Sequence, residues 1–235
     1  MYLSRIPLNP LRRHTQRLLQ SPQRIHAEVL GSLPPTVTGR TLWREEIRRL
    51  PSGGVECNLV VLTPRPPSWH KLVEDAGWPA TPEGEPLVRS LAPLLDRLAV
   101  GREFGFRVRA NPTHSLRSPG DGDRPRGRRH GHTTVEHQMW WFVERATRSC
   151  RSCIRWGFEL ADAELPSLSV VARERTVFTK ATGEPRRVTL NRVTYAGRLR
   201  VVDVDTLRET LLGGLGGAKA YGCGLLTLAS ANGIE

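Results

Sequence analysis

The order of hydrophobic patterns in the first 110 residues constrains the fold of this chain more than any other feature. Residues 2–8 alternate like a strand, and residues 22–31 carry one apolar helical face that begins at Ser21-Pro22 and ends at Gly31. Two strands are predicted at residues 41–50 and 55–63, joined by a Pro-Ser-Gly-Gly turn. A helix at residues 87–98 and a strand at residues 101–110 complete the order β-α-β-β-α-β. This is the ferredoxin-like arrangement, in which two helices cover one face of a sheet.

The second half of the chain predicts a decorated copy of the same unit. Residues 115–132 have the composition of a linker or mobile loop. The following patterns predict a helix at 135–148, a long strand pair at 167–180 and 186–202, a short helix at 205–212 capped by Asp203 or Asp205, and a last strand at 225–229. No repeat is visible in the sequence, so the duplication is inferred from element order. The predicted fold class is α+β, with two tandem ferredoxin-like (βαββαβ) domains at residues 1–113 and 114–235.

The charge balance indicates a polyanionic partner. The 235 residues include 35 Lys+Arg against 23 Asp+Glu, which gives a formal net charge of +12 and a pI near 10.8. A pI this high is typical of nucleic-acid-binding proteins, although a GC-rich genome that favours arginine codons would give a similar excess. Only three of those 35 cations are lysines: Lys71, Lys180 and Lys219.

Nothing in the chain predicts export or membrane insertion. Its start lacks the apolar run of a signal peptide, and no stretch approaches the ~20 apolar residues of a membrane span. The four cysteines do not suggest a set of disulfides. We therefore expect a cytoplasmic protein that does not bind membranes.

A glycine-rich segment at residues 213–226 is the most informative local feature, with six glycines around Lys219. Glycine permits positive φ and close approach of another backbone, so several N–H groups could point at phosphates. A flexible helix-to-strand connection is the simpler alternative, and the Gly-Lys-Ser/Thr ending of a P-loop is absent. The RNA contacts predicted from this segment are Lys219, Gly214, Gly216, Gly217, Gly222 and Gly224.

The run GLGGAKAYGCGLLTLA in this segment resembles the glycine-rich signature of the CasE family, the CRISPR-associated endoribonucleases of the RAMP superfamily. Three other stretches agree: MYLSRIPLNP at the start, FRVRANP at residues 106–112 and YAGRL at residues 195–199. The resemblance implies two ferredoxin-like domains and cleavage of CRISPR repeat RNA with no metal or other cofactor. It also implies that the cut stem-loop is retained, together with other subunits, in a CRISPR surveillance complex.

The same resemblance makes His26, on the first predicted helix, the catalytic candidate. Metal-free cleavage requires the 2′-hydroxyl to attack the adjacent phosphorus, which gives a 2′,3′-cyclic phosphate and a 5′-hydroxyl. An imidazole that titrates near neutrality can move the proton. Some family members carry a tyrosine three residues earlier, where this chain has Gln23, which cannot act as an acid or a base. Either the tyrosine is dispensable, or another group such as Arg24 compensates.

Basic residues of the second half are predicted to bind the RNA stem. A basic hairpin could enter its groove and contact phosphates, although an ordinary solvated hairpin would have the same composition. The predicted contacts around the Thr182-Gly183 turn are Arg173, Arg175, Lys180, Arg186 and Arg187, and Arg107 and Arg109 of the FRVRANP stretch are predicted to join them. The arginine run at residues 124–129 either contacts RNA or contributes only general attraction.

Two other functions stay open at this point. His26 could be a bystander in a non-catalytic crRNA-binding subunit of a surveillance complex, with Gln23 marking a lost site. Alternatively, the Cys150-Arg151-Ser152-Cys153 motif could bind zinc together with nearby histidines in a zinc-dependent nucleic-acid protein. One CxxC pair is a weak signal, and two ordinary thiols are the simpler interpretation. The histidines concerned are His130, His132 and His137.

Overall fold

Two structural units share this chain, and the sequence crosses between them more than once. The computed structural model describes residues 1–34, 39–116, 128–146, 156–161, 167–180 and 186–230. Unit 1 comprises residues 1–98, 212–214 and 219–225, whereas unit 2 comprises residues 99–211, 215–218 and 226–235. The C-terminal segment therefore contributes to both units.

Unit 1 is built on a four-stranded antiparallel sheet. Its strands are β1 (Tyr2–Leu8), β2 (Leu42–Arg49), β3 (Val55–Thr63) and β4 (Leu87–Ser90). They lie in the order β2-β3-β1-β4. Because side chains alternate between the two faces of a strand, Ile6 and Leu8 of β1 share one buried face with Leu59 and Val61 of β3.

Three helices supply the other side of this core: α1 (Arg13–Leu19), α2 (Pro22–Gly31) and α3 (His70–Ala76). Their buried side chains in the cluster are Leu18, Ile25, Val29, Leu72 and Ala76. Helix α2 begins and ends where the sequence predicts. Helices α1 and α3 were not predicted, because seven residues give less than two repeats of a helical pattern.

The predicted helix at residues 87–98 is wrong in its first part. Leu87–Ser90 form strand β4 at the edge of the sheet beside β1, and only the single turn α4 (Ala92–Leu95) is helical. The leucines that suggested a longer helix serve a second apolar cluster instead. Leu91 is buried in that cluster together with Leu42, Val60, Leu62 and Leu225.

Unit 2 is built on a second antiparallel sheet. Its strands are β5 (Glu103–Ala110), β8 (Phe158–Leu160), β9 (Leu168–Lys180), β10 (Arg186–Val201) and β11 (Leu226–Ser230), and a separate hairpin is formed by β6 (Thr113–Leu116) and β7 (Arg128–Gly131). The sheet order is β11-β5-β10-β8, and β9 pairs with another part of β10.

Helix α5 (Val135–Ala146) packs on this sheet and forms an aromatic core with it. The Phe142 ring centroid lies 5.6 Å from that of Phe106 and 4.7 Å from that of Tyr195.

Strand β5 belongs to the second sheet, so the prediction that it completes the first sheet is wrong. It pairs with β10 and β11, while β4 takes the place beside β1. Each sheet then has its own β-α-β-β-α-β set, β1 to β4 in unit 1 and β5, β9, β10 and β11 in unit 2. The predicted α+β fold of two ferredoxin-like domains is confirmed. The first division between the units falls after residue 98, and the predicted boundary at residue 113 lies within unit 2.

Helix α6 (Val204–Gly213) follows β10 and begins at one of the two predicted caps. The Asp203 carboxylate accepts a hydrogen bond of 2.8 Å from the Thr206 backbone N–H, which satisfies one of the unpaired donors of the first turn. None of the described helices combines the length and the hydropathy of a bilayer-spanning segment.

Candidate active site

Helix α2 holds the predicted catalytic histidine at the edge of a fixed apolar face. Pro22 starts the helix, where its missing N–H costs no hydrogen bond. Ile25 and Val29 are 2% and 0% exposed and anchor the helix in the core. His26 follows Ile25 in sequence and is half-buried, so its ring stands between the core and solvent.

The surroundings of His26 favour the neutral imidazole. Burial lowers the pKa of His26 below its usual value of 6.5, because the charged form loses its hydration. The Nδ1 atom is buried and has no hydrogen-bond partner among the described residues. The other ring nitrogen, Nε2, is therefore the atom available to a substrate. A neutral ring of this kind can accept a proton at pH 7.

Gln23 and Arg24, the other two predicted catalytic residues, are on the same helix as His26. Gln23 lies one turn before His26 and is half-buried, whereas Arg24 is exposed. An amide does not titrate, and a guanidinium stays charged throughout the physiological range. These two positions therefore offer hydrogen bonds and charge, but no second proton-transfer group.

The part of the glycine-rich segment that carries Lys219 belongs with His26 in unit 1. The prediction placed the whole segment in the C-terminal domain, whereas residues 212–214 and 219–225 fall in unit 1, and Gly216 and Gly217 fall in unit 2. Within unit 1, the 3-10 turn Lys219–Tyr221 contacts both α2 and β2. Long-range packing thus brings a basic turn to the helix of His26.

Two of the glycines in this segment allow it to lie against β2. Gly222 has a φ of +77°, and a Cβ atom there would lie 2.8 Å from the Trp43 ring. Gly214 has a φ of +73°, and its Cβ would lie 2.8 Å from the methyl groups of Leu42. Close packing accounts for both glycines, so contact of the five named glycines with RNA stays a prediction.

The Lys219 side chain is hydrogen-bonded to the backbone of its own segment, and its pKa is influenced by a second cation, Arg40. Its Nζ atom donates a hydrogen bond of 2.7 Å to the carbonyl oxygen of Gly213, the last residue of α6. Burial and, next, the positive charge of Arg40 lower the pKa of Lys219. Arg40 is exposed and stands just before β2, on which the turn packs. Half-buried Lys219 and exposed Arg40 therefore both lie near the start of β2 in unit 1.

Arg107 and Arg109 lie on the polar face of the second sheet. Their neighbours Phe106 and Val108 point into the core of unit 2, and side chains alternate along β5. Arg107 is exposed, whereas Arg109 is half-buried and donates a hydrogen bond of 3.3 Å from Nε to the Thr194 hydroxyl. Both arginines lie on the face of the sheet opposite the core, and contact of either one with RNA stays a prediction.

The predicted strand pair of the basic hairpin is confirmed as β9 and β10. By register, Arg173 and Arg175 of β9 share one face of the hairpin with Arg187 of β10. Arg175 and Arg187 are exposed. Lys180 and Arg186 pair at the end of the ladder, and the turn between them lies outside the described residues.

Arg173 differs from the other arginines of the hairpin because the protein already binds its guanidinium. Its Nε donates a hydrogen bond of 2.8 Å to the Gln138 side-chain oxygen, and a terminal nitrogen donates to the Thr133 carbonyl. Arg173 thereby links β9 to the start of α5. Contact of Arg173 with RNA stays a prediction, and its observed hydrogen bonds stabilise the packing of β9 against the start of α5.

Comparison with known proteins identifies the family. A family model described as CRISPR associated protein matches residues 1–230. The chain belongs to this CRISPR-associated protein family. It is 28% identical over 236 residues to the CRISPR-associated endoribonuclease Cse3 of Thermus thermophilus, covering 97% of this chain and 100% of that protein. The predicted resemblance to the CasE endoribonucleases is confirmed.

Solved structures of CRISPR-associated proteins have the same fold. The chain superposes with a TM-score of 0.73 on CRISPR endoribonuclease Cse3 bound to 19 nt RNA, with 27% identity over 97% of this chain and 100% of that one. It superposes with a TM-score of 0.63 on a chain of a CRISPR RNA-guided surveillance complex, with 23% identity over 98% of this chain and 100% of that one. At this lower identity, the second likeness shows the fold alone.

The residues of the zinc alternative are only partly described. Cys150 and Cys153 lie outside the described residues. His132 and His137 lie close together with His114, at ring-centroid distances of 4.6 Å from His114 to His132 and 5.8 Å from His132 to His137. Burial and the neighbouring His114 and His137 lower the pKa of His132. His114 lies on β6, His132 just after β7 and His137 in the first turn of α5. Zinc binding by the predicted set stays untested.

Arg40 and Tyr221 were not singled out from the sequence. Tyr221 is inside the glycine-rich run and stands on the turn that contacts α2. Arg40 stands outside any recognisable pattern, and only the packing of the turn on β2 relates it to Lys219. No local signal could have identified Arg40.

Proposed function

We propose that this chain is an endoribonuclease that cleaves CRISPR repeat RNA at the base of its stem-loop and needs no metal ion. The observation that carries the proposal is His26, a half-buried imidazole with a lowered pKa on a helix contacted by the turn that carries Lys219. Membership of the family and the similarity to the endoribonuclease Cse3 support this reaction class.

In the proposed reaction, the neutral His26 ring accepts the proton of the 2′-hydroxyl next to the scissile phosphate. The 2′-oxygen forms a bond to phosphorus, and the bond from phosphorus to the 5′-oxygen breaks. The 5′-oxygen leaves with a proton from solvent or from a group of the site, giving a 2′,3′-cyclic phosphate and a 5′-hydroxyl. General base catalysis of this kind contributes about 10²- to 10⁴-fold, and correct positioning of the 2′-hydroxyl supplies much of the remaining rate.

We also propose that the basic surfaces of unit 2 hold the stem of the RNA. The side chains of Arg107, Arg175 and Arg187 are exposed, and stems of A-form RNA are recognised mainly by shape and backbone. Tight binding would retain the product, which would then enter a surveillance complex with other protein subunits. The chain would act in the cytoplasm, where repeat transcripts are made.

The test is cleavage of a repeat transcript in EDTA by the wild-type chain and by His26→Ala. We expect the wild type to cut, and the variant to bind the stem-loop normally but to cut at least 100-fold more slowly, in line with the roughly 10²- to 10⁴-fold worth of a general base. His70→Ala is the matched control, since His70 is an exposed histidine of the same unit. Wild-type cleavage by His26→Ala would refute the role of His26.

A non-catalytic RNA-binding subunit is the second candidate, and Gln23 is the observation that favours it. With an amide one turn before His26, helix α2 lacks a second titrating group at that position. This candidate predicts tight binding and no cleavage by the wild type under any metal condition. Cleavage that EDTA abolishes would instead favour the zinc-dependent alternative.

A further inference from the structure

The turn that carries Lys219 packs on β2 in unit 1, and Arg40 stands two residues before the start of that strand. The same turn, Lys219–Tyr221, also contacts α2, the helix that carries His26. The positive charge of Arg40 is close enough to lower the pKa of Lys219. Among the described residues, neither side chain forms an ion pair with a carboxylate.

Two like charges held together destabilise a protein unless an anion lies between them. The hydrogen bond to the Gly213 carbonyl uses one of the three N–H donors of the Lys219 ammonium group. Two donors of Lys219 and the guanidinium of exposed Arg40 therefore remain for a ligand. Glycines on both sides of the turn fix its position, because Gly214 and Gly222 pack directly on Leu42 and Trp43.

We propose that Arg40 and Lys219 bind the phosphate at which the RNA is cut and stabilise its negative charge in the transition state. This inference rests on the proposed function, since it assigns the charge-stabilising half of the same reaction. Attack of the 2′-oxygen turns a phosphodiester with one negative charge into a five-coordinate phosphorus with two. Without a metal ion, fixed cations must carry that added charge, and their effect is largest in a partly dehydrated site.

The first experiment measures single-turnover cleavage and RNA affinity of Arg40→Gln and Lys219→Met. Each variant should cut about 10- to 100-fold more slowly, with a much smaller loss of affinity, because the cations act mainly on charge that develops during the reaction. Arg65→Gln is the matched control, since it removes the same charge from an exposed position after β3. The double variant should lose less than the product of the two single effects, because both cations act on one phosphate.

Lys219→Arg separates this role from structural support of the loop, because it keeps the charge but changes the hydrogen bond to Gly213. If the loop alone mattered, Lys219→Arg and Lys219→Met would be equally slow. We expect Lys219→Arg to cut faster than Lys219→Met. Thermal denaturation of all variants identifies any that fail to fold, and Arg40→Gln, at an exposed position, tests the proposal independently of Lys219.

The second experiment follows the titration of Lys219 itself and does not depend on cleavage. The chain has three lysines, so the side-chain NMR signals of isotopically labelled lysine can be assigned with single variants. The pKa of Lys219 should rise in Arg40→Gln and should rise in the wild type on binding repeat RNA that carries a 2′-deoxyribose at the cut position. Lys71 serves as the internal control.

The outcomes separate the inference from the function on which it rests. If the wild type does not cut repeat RNA in EDTA, the proposed function fails. If the wild type cuts but Arg40→Gln behaves like Arg65→Gln, or if RNA leaves the Lys219 titration unchanged, the phosphate site is refuted and the proposed function stands. Slow cleavage by Arg40→Gln together with an RNA-induced rise in the pKa of Lys219 would establish the site.

Discussion

At the scale of single residues, burial lowers the pKa of both His26 and Lys219, but only His26 becomes neutral at pH 7 as a result. The apolar contacts of Ile25 and Val29 hold α2 against the core, and the resulting loss of water keeps the His26 ring neutral. Lys219 is also partly buried, yet it keeps a carbonyl partner and lies beside Arg40. One unit thus contains a base that is neutral at pH 7 and a charged site for its substrate.

The pH dependence of cleavage should report the lowered pKa of His26. A general base is active when deprotonated, so the rate should rise with pH through the His26 pKa and level off above it. Because burial lowers that pKa in the RNA-free protein, the midpoint should fall below 6.5 in a pH profile of kcat/KM, which reports groups of the free enzyme. A midpoint above 6.5, or a rising limb that persists in His26→Ala, would contradict the assignment.

Gly222→Ala should destabilise the protein through packing as well as through backbone strain. The new Cβ would meet the Trp43 ring at 2.8 Å, at a φ of +77°. Gly53→Ala is the matched control, because Gly53 has a φ of +83° and nothing lies within 4 Å of its Cβ position. We expect about 1–2 kcal/mol of strain for Gly53→Ala, and about 1–3 kcal/mol more for Gly222→Ala from overpacking.

Urea denaturation of the two variants measures this difference in the free energy of unfolding. Equal losses would show that the segment relaxes away from Trp43 without cost. A larger loss for Gly222→Ala would show that this glycine is needed for close contact with β2, whatever its relation to RNA.

At the scale of secondary-structure elements, local pattern predicted β1, α2 and β3 to the residue, since each has clear alternation or clear start and stop residues. Pattern failed at β4, because the helical spacing of Leu91, Leu94 and Leu95, which belong to α4 and its N-cap, extended the predicted helix back over Leu87–Ser90. It also could not assign β5 to its sheet, because strand pairing depends on residues far along the chain. The candidate site was also predictable only in part. His26 follows from the family resemblance, whereas the position of Arg40 near the turn of Lys219 depends on tertiary packing.

Reversal of charge at the end of the β9–β10 hairpin should weaken RNA binding in a salt-dependent way. Arg186→Glu with Arg187→Glu would replace attraction to phosphates by repulsion. Each lost phosphate contact reduces the slope of log K against log salt by about 0.7–0.9. We expect weaker binding and a flatter slope, measured by titration of the stem-loop at several salt concentrations.

The control for the hairpin is the double reversal Arg65→Glu with Arg89→Glu, two exposed arginines of unit 1. It changes the net charge by the same amount at positions without a proposed RNA contact. If both double variants weaken binding equally, only the overall charge matters, and the hairpin has no specific part in holding the stem.

At the scale of the whole molecule, unit 1 is completed by residues from the far end of the chain. Leu225 is 2% exposed in a cluster with Leu42, Val60 and Leu62, and its carbonyl oxygen accepts a hydrogen bond of 3.0 Å from Arg44. The chain between residues 99 and 211 forms most of unit 2. The ferredoxin-like set of the first sheet is therefore contiguous in sequence, but its full core is not.

A fragment of residues 1–98 should consequently lack the stability expected of an independent domain. Removing a buried leucine from a core costs about 2–5 kcal/mol, and the fragment also loses the Leu225 carbonyl, one of the acceptors of buried Arg44. We expect no cooperative thermal transition for the fragment by circular dichroism. A synthetic peptide of residues 212–225 should restore part of the transition when it is added.

Two substitutions in the full chain provide the control. Leu225→Ala should lower the free energy of unfolding by about 2–4 kcal/mol, whereas Leu87→Ala, at a leucine that is 52% exposed, should change it by less than about 0.5 kcal/mol. A fragment that unfolds as cooperatively as the full chain would show that the returning segment is dispensable for unit 1.

The late return of the chain to unit 1 also sets an order of events during translation. Domains of growing chains usually fold as they emerge, beginning at the N-terminus. Here the helix that carries His26 leaves the ribosome before residues 99–211, whereas the turn Lys219–Tyr221 and Leu225 are made only after them. A nascent chain therefore holds the base without the basic turn beside it. Nuclease activity would begin only after residues 219–225 have emerged and packed into unit 1.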